Sequence, residues 1–222
     1  MTGHVHLFAG PTLARARAMA PDLVLDGIAV HAPVRRGDVP RITAETAPGA
    51  AGRCLLVVDG YFHDALAVGH AELRQALADG WQVWGLSSIG AIRARELADL
   101  GMRGYGEVHA LYAGAGDFRD DEVALLHAME PPWQELSEPL VHLRRALAEL
   151  TARGLLDEAQ GAAVLDALCA MWFGDRTLGR FLALLVAAAR GRAAELRAAL
   201  ADFDRYRVKC HDLIRFLRER PW

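Results

Sequence analysis

Short apolar runs alternate with amphipathic segments along the first half of the chain. The clearest run, residues 54–58, is continuously aliphatic, which is typical of a parallel strand that is covered on both faces. Three more segments have a strand-like pattern: residues 4–8, 24–30 and 81–86. Helical spacing follows three of the four strands, over residues 13–19, 65–77 and 89–100. This alternation predicts an α/β fold with a parallel-type sheet flanked by helices.

The pattern becomes helical throughout the second half. Apolar residues recur at helical spacing in four segments: residues 139–153, 157–173, 177–190 and 193–219. Alanine and leucine dominate these segments, which raises their helix propensity. Pro131 and Pro132 mark the predicted junction between the two halves. We therefore expect an α/β core over residues 1–130, followed by an all-helical C-terminal extension over residues 131–222.

Composition and charge exclude several classes of protein. The chain has 222 residues and a formal net charge of −3, which argues against an electrostatic nucleic-acid binder. Three scattered cysteines do not make a disulfide framework, and no C-x-x-C pair indicates zinc. There is no signal-peptide pattern, and the most apolar run is too short to cross a bilayer. We expect a cytoplasmic protein without nucleic-acid or membrane partners, and a homo-oligomer is compatible with the sequence.

Polar and glycine residues follow three of the predicted strands at the points where those strands end. The three groups are Gly10-Pro11-Thr12, Asp59-Gly60-Tyr61-Phe62 and Ser87-Ser88-Ile89-Gly90. Ligands of open α/β sheets bind outside the carboxyl ends of the strands. The sequence therefore predicts a site where these three strand ends converge.

Ser87 and Ser88 stand where a strand turns into a helix. A serine at Ser88 would lie near helix N–H groups that stabilise an oxyanion. The segment resembles a nucleophile elbow but lacks the full G-x-S-x-G, because Leu86 occupies the position two before Ser88. Serine is also a preferred N-cap residue, so capping remains open beside catalysis or anion binding.

Arg93 is placed by this pattern near the start of the same helix. A cation is unfavourable there unless it meets an anion, so Arg93 is a candidate for binding a carboxylate, thiocarboxylate or phosphate. An ordinary surface arginine is the alternative. Glu96 lies three positions further on, where it would pair with Arg93.

Asp59 and His70 are candidate acid–base residues. Asp59 at a strand end would orient a histidine or bind a metal, although a turn aspartate before Gly60 is an equally good interpretation. His70 on the following helix would act as a general base if its strand lies beside the serines. A half-buried histidine with a local hydrogen bond is the alternative.

An acidic cluster precedes the apolar residues 123–129, which we predict to be helical. It consists of Asp117, Asp120, Asp121 and Glu122. Acidic residues at a helix N-terminus are favourable because of the helix dipole alone. A metal-binding or partner-docking role is the alternative.

Seven short motifs occur together, in an order that resembles the TfuA-like core family. They cover residues 7–13 (LFAGPTL), 35–38 (RRGD), 58–62 (VDGYF), 70–72 (HAE), 85–97 (GLSSIGAIRAREL), 101–106 (GMRGYG) and 120–123 (DDEV). Each motif alone is weak, whereas the ordered series is specific. The chain departs from the family pattern at Ile89, Ile92 and Arg95, and Ala71 stands where the family often has a lysine.

The resemblance implies a role beside a YcaO enzyme, which activates backbone amides with ATP. It implies an accessory protein for thioamide formation on a ribosomal peptide or protein, and hydrolysis of a thiocarboxylated ThiS-like sulfur carrier to release sulfide. A YcaO protein, the carrier and the peptide substrate would be its partners. No cofactor is expected.

The residues fit such a hydrolysis. Ser88 or Ser87 would be the nucleophile and His70 or Asp59 the base. Binding of the carrier's anionic tail falls to other motif residues: Thr12, Arg36, Asp38, Gly60, Gly90 and Arg93. Five more acidic residues match the family's motifs without a firm role: Glu72, Glu96, Asp120, Asp121 and Glu122.

Two further interpretations stay open. A non-catalytic adaptor would dock YcaO and its peptide, using the long predicted helix over residues 193–219 as its surface. A nucleotide-binding enzyme would use Gly10-Pro11-Thr12 as a phosphate turn, but the chain has neither a full P-loop nor a G-x-G-x-x-G.

Overall fold

The computed structural model describes residues 4–46, 52–61, 65–114 and 119–222. The chain divides into two compact units that interleave along the sequence. Unit 1 comprises Met1–Asp120, Pro131–Trp133 and Lys209–Trp222, and unit 2 comprises Asp121–Glu130 and Gln134–Val208. The C-terminal segment therefore belongs with the first part of the chain.

Unit 1 is built on a parallel sheet of five strands. The strands are β1 (Val5–Phe8), β2 (Ile28–His31), β3 (Cys54–Val57), β4 (Gln82–Leu86) and β5 (Arg103–Tyr105). Their order is β2-β1-β3-β4-β5, and every neighbouring pair is parallel. The order reverses between β1 and β3, which is the point where sheets of this kind bind ligands.

Ten α-helices lie within the described residues. They are α1 (Pro11–Met19), α2 (Asp38–Glu45), α3 (His70–Ala78), α4 (Ile89–Glu96), α5 (Gly106–Gly114), α6 (Leu140–Ala152), α7 (Glu158–Cys169), α8 (Leu178–Ala188), α9 (Ala193–Leu200) and α10 (Val208–Glu219). The predicted parallel sheet with flanking helices and a helical C-terminal region is confirmed. None of the described helices is long and apolar enough to cross a membrane.

Both faces of the sheet are covered by helices of unit 1. Leu7 and Leu56 pack on one face with Leu213 and Phe216 of α10, and α1 packs on the same face. Residues of α2, α3 and α4 cover the other face, where Leu55 and Val57 point. Because every residue of β3 is buried on one face or the other, its sequence is continuously aliphatic.

The last helix packs on the sheet because of its apolar stripe and one buried carboxylate. The predicted long helix over residues 193–219 is wrong: α9 ends at Leu200, Phe203–Tyr206 form a 3-10 turn, and α10 follows. Asp212 of α10 is buried and accepts hydrogen bonds from the N–H groups of Glu107 (2.8 Å) and Val108 (2.9 Å) at the start of α5. The apolar face of this helix is therefore not a docking surface.

The helix predicted over residues 123–129 is absent. Asp120–Glu122 form a 3-10 turn, and the residues that follow are paired with residues 134–137 and do not form a helix. The N–H of Leu126 donates to the hydroxyl of Ser137 at 2.8 Å, and the N–H of Ala128 donates to the carbonyl of Gln134. Tertiary hydrogen bonds thus override the apolar spacing of this segment.

Several element boundaries also differ from the predicted ones. α3 begins at His70 rather than residue 65, and α4 ends at Glu96, after which Ala98–Leu100 form a 3-10 turn. The region over residues 33–40, for which we predict a loop or a short helical turn, leads into α2. β5 and α5 were not predicted, because a three-residue strand carries no readable apolar pattern.

Unit 2 has a helical core of its own. Leu143, Leu147 and Leu150 of α6 pack with Leu168 of α7 and Phe181 of α8. Five of its charged side chains are hydrogen-bonded to one another: Arg176 donates to Asp121, and Arg207 donates to Glu135 and Glu138. Buried charges are tolerated there because each is paired.

Close backbone packing joins β3, β4 and the start of α4 in unit 1. A Cβ on Gly90 would overlap the carbonyl oxygen of Val57, and a Cβ on Gly85 would overlap the carbonyl of Gly90. The N–H of Gly90 donates to the carbonyl of Val58 at 3.2 Å. Only glycine fits these two positions, so the turn after β4 is held tightly against β3.

We expect Gly90→Ala to lower the free energy of unfolding by about 3 kcal/mol, because the new methyl group has no space. Urea unfolding measures this change. Gly179→Ala in α8 is the matched control, since its nearest neighbour would lie at 3.9 Å, and it should stay within about 1 kcal/mol of wild type. Equal stability of the two variants would contradict the packing described.

Two histidines of unit 1 lie side by side on adjacent strands. The rings of His6 in β1 and His31 in β2 stack with centroids 5.3 Å apart, and His6 Nδ1 lies 3.0 Å from His31 Nε2. Burial first, and then His31, lowers the pKa of His6. Burial first, and then Arg41, lowers the pKa of His31. The folded chain therefore disfavours the protonated pair.

The free energy of unfolding should fall as the pH falls below 6.5, because the unfolded chain takes up these protons first. We expect His31→Gln to reduce the slope of stability against pH between about pH 8 and pH 5. Part of the slope remains, because burial also lowers the pKa of His109. Denaturant unfolding across this range gives both slopes, and identical slopes would refute the assignment to this pair.

Candidate functional site

The sheet order brings three of the predicted strand ends next to one another. β1, β3 and β4 are consecutive neighbours in the sheet, so the residues that follow them share one edge. We call these residues the strand-end cluster: Thr12, Asp59, Gly60, Ser87, Ser88 and Gly90.

Asp59 joins the end of β3 to the start of α1. Its Oδ2 accepts hydrogen bonds from the N–H groups of Gly10 (2.8 Å) and Thr12 (3.0 Å), and its Oδ1 accepts from the Thr12 hydroxyl (2.6 Å). Both side chains are almost completely buried. The carboxylate thus occupies the anion position at the N-terminus of α1. This geometry makes Asp59 and Thr12 a structural clamp at the edge of the sheet.

Ser87 occupies a strained turn. Its φ is +63°, and the N–H of Ser88 donates to the carbonyl of Leu86 at 2.7 Å across it, as in a γ-turn. The hydroxyl of Ser87 is buried and donates to the carbonyl of Lys209 at 2.8 Å. With Gly85 two positions before it, Ser87 rather than Ser88 holds the conformation of a nucleophile elbow. Its hydroxyl, however, already donates its proton to the carbonyl of Lys209.

Ser88 precedes the first residue of α4. Its side chain is 3% exposed, does not cap the helix, and has no hydrogen bond among the described residues. The N–H of Ile89, the first of the helix, also has no partner in the described part of the chain. A free hydroxyl and a free N–H therefore lie together at the positive end of α4.

Two residues that sequence reasoning missed border this edge. A Cβ on Gly10 would lie 2.5 Å from Cγ of Pro33 and 3.2 Å from the ring of Trp133. Trp133 thus forms an aromatic wall beside the end of β1. Lys209 is the second, because its carbonyl binds Ser87. Both come from distant parts of the chain, so no local pattern indicated them.

Gly60 and Gly90 pack against their own chain. A Cβ on Gly60 would lie 2.8 Å from the carbonyl of Val34 and 2.9 Å from the side chain of Ile89. Internal close packing accounts for a glycine at both positions, and their part in binding the carrier's tail stays a prediction.

A second group of motif residues meets where α3 and α4 touch. We call it the corner cluster: Arg36, Gly37, His70, Glu72, Arg93 and Glu96. His70 Nε2 lies 2.8 Å from Glu96 Oε2, and the same oxygen accepts from Nη1 of Arg93 at 2.5 Å. The pairing of Arg93 with Glu96 that the sequence suggested is therefore present.

Glu72 ties the loop before α2 to the start of α3. Its Oε1 accepts from the N–H of Gly69 at 2.6 Å, and its Oε2 accepts from the N–H of Gly37 at 3.0 Å. The N–H of Arg36 donates to the carbonyl of Leu66. Asp38 makes a hydrogen bond within its own loop, where it accepts from the N–H of Arg35 at 3.0 Å. Three motifs distant in sequence thus form one corner.

The family model for TfuA-like proteins matches residues 59–177, which is more than half of the chain. The chain belongs to the TfuA-like family. The match includes Asp59, both serines, His70 and Glu96, whereas Thr12 and Arg36 precede it. A comparison with curated proteins found no match.

Arg93 of this TfuA-like chain lies in the last turn of α4, not in its first. The predicted conflict with the helix dipole is therefore wrong, because a cation is favourable at a helix C-terminus. The expectation arose from a helix that was drawn four residues too long.

His70 and the serines do not form a dyad in the TfuA-like fold. His70 binds Glu96 at one end of α4, whereas Ser88 stands at the other, and about 12 Å of helix rise separates Ser88 from Glu96. No hydrogen bond joins His70 to either serine.

Two acids of the DDEV motif make ion pairs in unit 2 of this TfuA-like chain. Asp121 pairs with Arg176 at 2.6 Å, and Glu122 accepts two hydrogen bonds from Arg144. Asp120 is exposed. Asp117 and Phe62 lie outside the described residues. Among those described, no group of three His, Cys, Asp or Glu side chains is arranged to hold a metal ion.

We expect Asp59→Asn to lower the free energy of unfolding by about 2 kcal/mol, because its amide would face two N–H donors that need acceptors. Urea unfolding measures this loss. Asp99→Asn at an exposed position is the matched control and should change stability by less than about 0.5 kcal/mol. A neutral Asp59→Asn would show that the clamp does not support the fold.

Proposed function

We propose that the protein is an accessory factor for YcaO-dependent thioamide formation, and that it hydrolyses a thiocarboxylated ThiS-like carrier to release sulfide. Membership of the TfuA-like family suggests the YcaO association. Hydrolysis of the carrier is a further step that family membership alone does not establish. The sulfide would then be consumed at the activated amide of the peptide or protein substrate.

One observation supports a site for the carrier most directly: the hydroxyl of Ser88 has no hydrogen bond at the N-terminus of α4, although the residue as a whole is only 3% exposed. This hydroxyl is not among the fully buried unpaired atoms of the described residues, so it is open to solvent beside the free N–H of Ile89, where a ligand can meet both donors. A carboxylate, thiocarboxylate or peptide carbonyl has the acceptors that these donors need.

The extended tail of a carrier suits this edge of the sheet. Asp59 and Thr12 hold the neighbouring strand ends rigid, and Trp133 borders the same edge. We assign Ser88 and the N–H of Ile89 to the tail. Attack by Ser88 or Ser87 on the thiocarboxylate remains a prediction, and neither serine is hydrogen-bonded to a base among the described residues.

The test is incubation of the purified protein with a thiocarboxylated carrier, followed by measurement of free sulfide and of the carrier's mass. We expect conversion of the thiocarboxylate to a carboxylate, with one sulfide released per carrier. Ser88→Ala should slow sulfide release roughly tenfold or more, because it removes the free donor of the site.

Thr43→Ala is the control for this substitution, because the hydroxyl of Thr43 bonds only a nearby carbonyl in α2. It should release sulfide at the wild-type rate. A mass increase of the protein itself during turnover would identify an acyl-enzyme on a serine. An unchanged carrier with the wild-type protein would refute the hydrolase.

An adaptor is the second candidate, and exposed apolar side chains in unit 2 favour it. Met129, Leu136 and Trp172 are each half exposed or more. Exposed apolar side chains mark a protein contact when they form one contiguous patch. The adaptor predicts no sulfide release by the protein alone, together with tighter binding between YcaO and its peptide.

A further inference from the structure

Two imidazole nitrogens face each other across the first two strands of the sheet. Nδ1 of His6 in β1 and Nε2 of His31 in β2 lie 3.0 Å apart. Neither histidine belongs to the strand-end cluster or to the corner cluster. A neutral imidazole has a proton on one nitrogen and a lone pair on the other. The facing nitrogens can therefore share a hydrogen bond, or both can direct their lone pairs at one cation.

The two outer ring nitrogens have no hydrogen bonds. Nε2 of His6 is fully buried and has no partner in the described part of the chain. Nδ1 of His31 also has no hydrogen bond to a described residue, but it is not among the fully buried unpaired atoms, so it is open to solvent. With a proton on each outer nitrogen, both facing lone pairs are free for an ion. Nε2 of His6 lacks a partner in either tautomer, so this arrangement leaves no additional buried group unpaired.

Both imidazoles are in the form that binds metal ions. Burial is the largest cause that lowers the pKa of His6 and of His31 below 6.5, so both rings are neutral at neutral pH. Metal ions bind the neutral imidazole, and a protonated ring must first lose its proton. A metal ion therefore does not have to displace a proton from either ring near pH 7.

The charged side chains around the pair are mixed in sign. After burial, Glu45 acts to raise the pKa of both histidines, and Asp38 acts in the same direction on His31. Arg41 acts in the opposite direction on His31, but it is itself paired with Asp38 (3.7 Å) and Glu45 (3.6 Å). The two carboxylates thus favour a positive charge at the pair, and the nearest arginine is partly neutralised by them.

Ring stacking holds both histidines in place. The ring of His31 stacks on the rings of His6 and Phe8, with centroids 5.3 Å and 5.0 Å apart. The ring of His6 also meets that of Trp81, at 5.8 Å. Ligands that are fixed before an ion arrives lose little conformational freedom on binding it.

The separation of the facing nitrogens distinguishes between coordination geometries. Two nitrogens that are each about 2.1 Å from one ion lie about 3.0 Å apart at a right angle, and about 3.4 Å apart at the tetrahedral angle. The observed separation of 3.0 Å matches the right angle. Right angles are typical of the tetragonal coordination of Cu²⁺ and Ni²⁺, whereas Zn²⁺ in proteins is usually tetrahedral.

We propose that His6 and His31 form a two-histidine site for a divalent transition metal ion with right-angled coordination, Cu²⁺ or Ni²⁺. Water fills the other positions, since no third His, Cys, Asp or Glu among the described residues is arranged to complete the site. Both residues are only half-buried, and β2 is an edge strand, so an ion can reach them from solvent. The bound ion joins this edge strand to β1. This inference is independent of the proposed function.

The experiment titrates the full-length protein with Cu²⁺ at about pH 7.5, with excess glycine present as a weak chelator that suppresses scattered surface binding. We expect one Cu²⁺ per chain, an electron paramagnetic resonance spectrum with hyperfine coupling to two imidazole nitrogens, and a melting temperature that rises with ion concentration. Ni²⁺ should bind more weakly than Cu²⁺ but more tightly than Zn²⁺, an order that a tetrahedral site would reverse for Ni²⁺ and Zn²⁺.

His31→Gln and His6→Gln should each weaken Cu²⁺ binding at least about tenfold, because each removes one of the two ligands. His109→Gln is the matched control and should bind as wild type does. His109 is also half-buried in unit 1 with a pKa that burial lowers, but its charged neighbour is Arg95 rather than a second histidine.

Equal Cu²⁺ affinity in wild type and His31→Gln would overturn the site, as would a wild-type spectrum without two coupled imidazole nitrogens. Tighter binding of Zn²⁺ than of Ni²⁺ would overturn the assigned geometry. Urea unfolding without metal checks that each variant is folded. If His6→Gln does not fold, His31→Gln on the edge strand and the wild-type spectrum decide the question.

Discussion

The hydrogen bonds to the carboxylate of Asp59 are the interaction on which the candidate functional edge of unit 1 depends. A buried carboxylate is unfavourable unless it is fully hydrogen-bonded, and the first N–H groups of a helix lack partners within that helix. Asp59 meets both requirements, because Gly10 and Thr12 donate to it at the start of α1. The ends of β1 and β3 are thereby held in one position, at the point where the strand order reverses.

A second buried aspartate accepts hydrogen bonds from the first N–H groups of a helix in the same way. Asp212 of α10 accepts from the N–H groups of Glu107 and Val108, so the last helix is attached to the start of α5. Burial raises the pKa of Asp212, whereas the hydrogen bonds from Val108 and Glu107 act in the opposite direction and favour its charged form. Two buried aspartates thus hold together segments that are 49 and 104 residues apart in the chain.

The chemical residues divide between two places, and this division limits what each place can do. The strand-end cluster has rigid backbone and free donors, which suits the binding of an extended tail. The corner cluster has an imidazole with a fixed orientation, which joins α3 to α4. Cys54 belongs to neither place, because it is the first residue of β3, at the opposite end of the strand from Asp59. Burial also raises the pKa of its thiol to about 12.

The sequence by itself determined the fold class and most of the residues at the candidate site. A continuous aliphatic run such as residues 54–58 has few other uses than a buried parallel strand, and a family's ordered motifs survive in the chain. Only the tertiary structure decided which motif residues meet. Glu96 is hydrogen-bonded to His70, 26 positions away in the chain, and the carbonyl of Lys209 accepts from Ser87, 122 positions away. Residues 123–129 bond to residues 134–137 and do not form the helix that their spacing predicts. Hydrogen bonds between distant segments depend on how the elements pack, and the local periodicity of a sequence does not predict that packing.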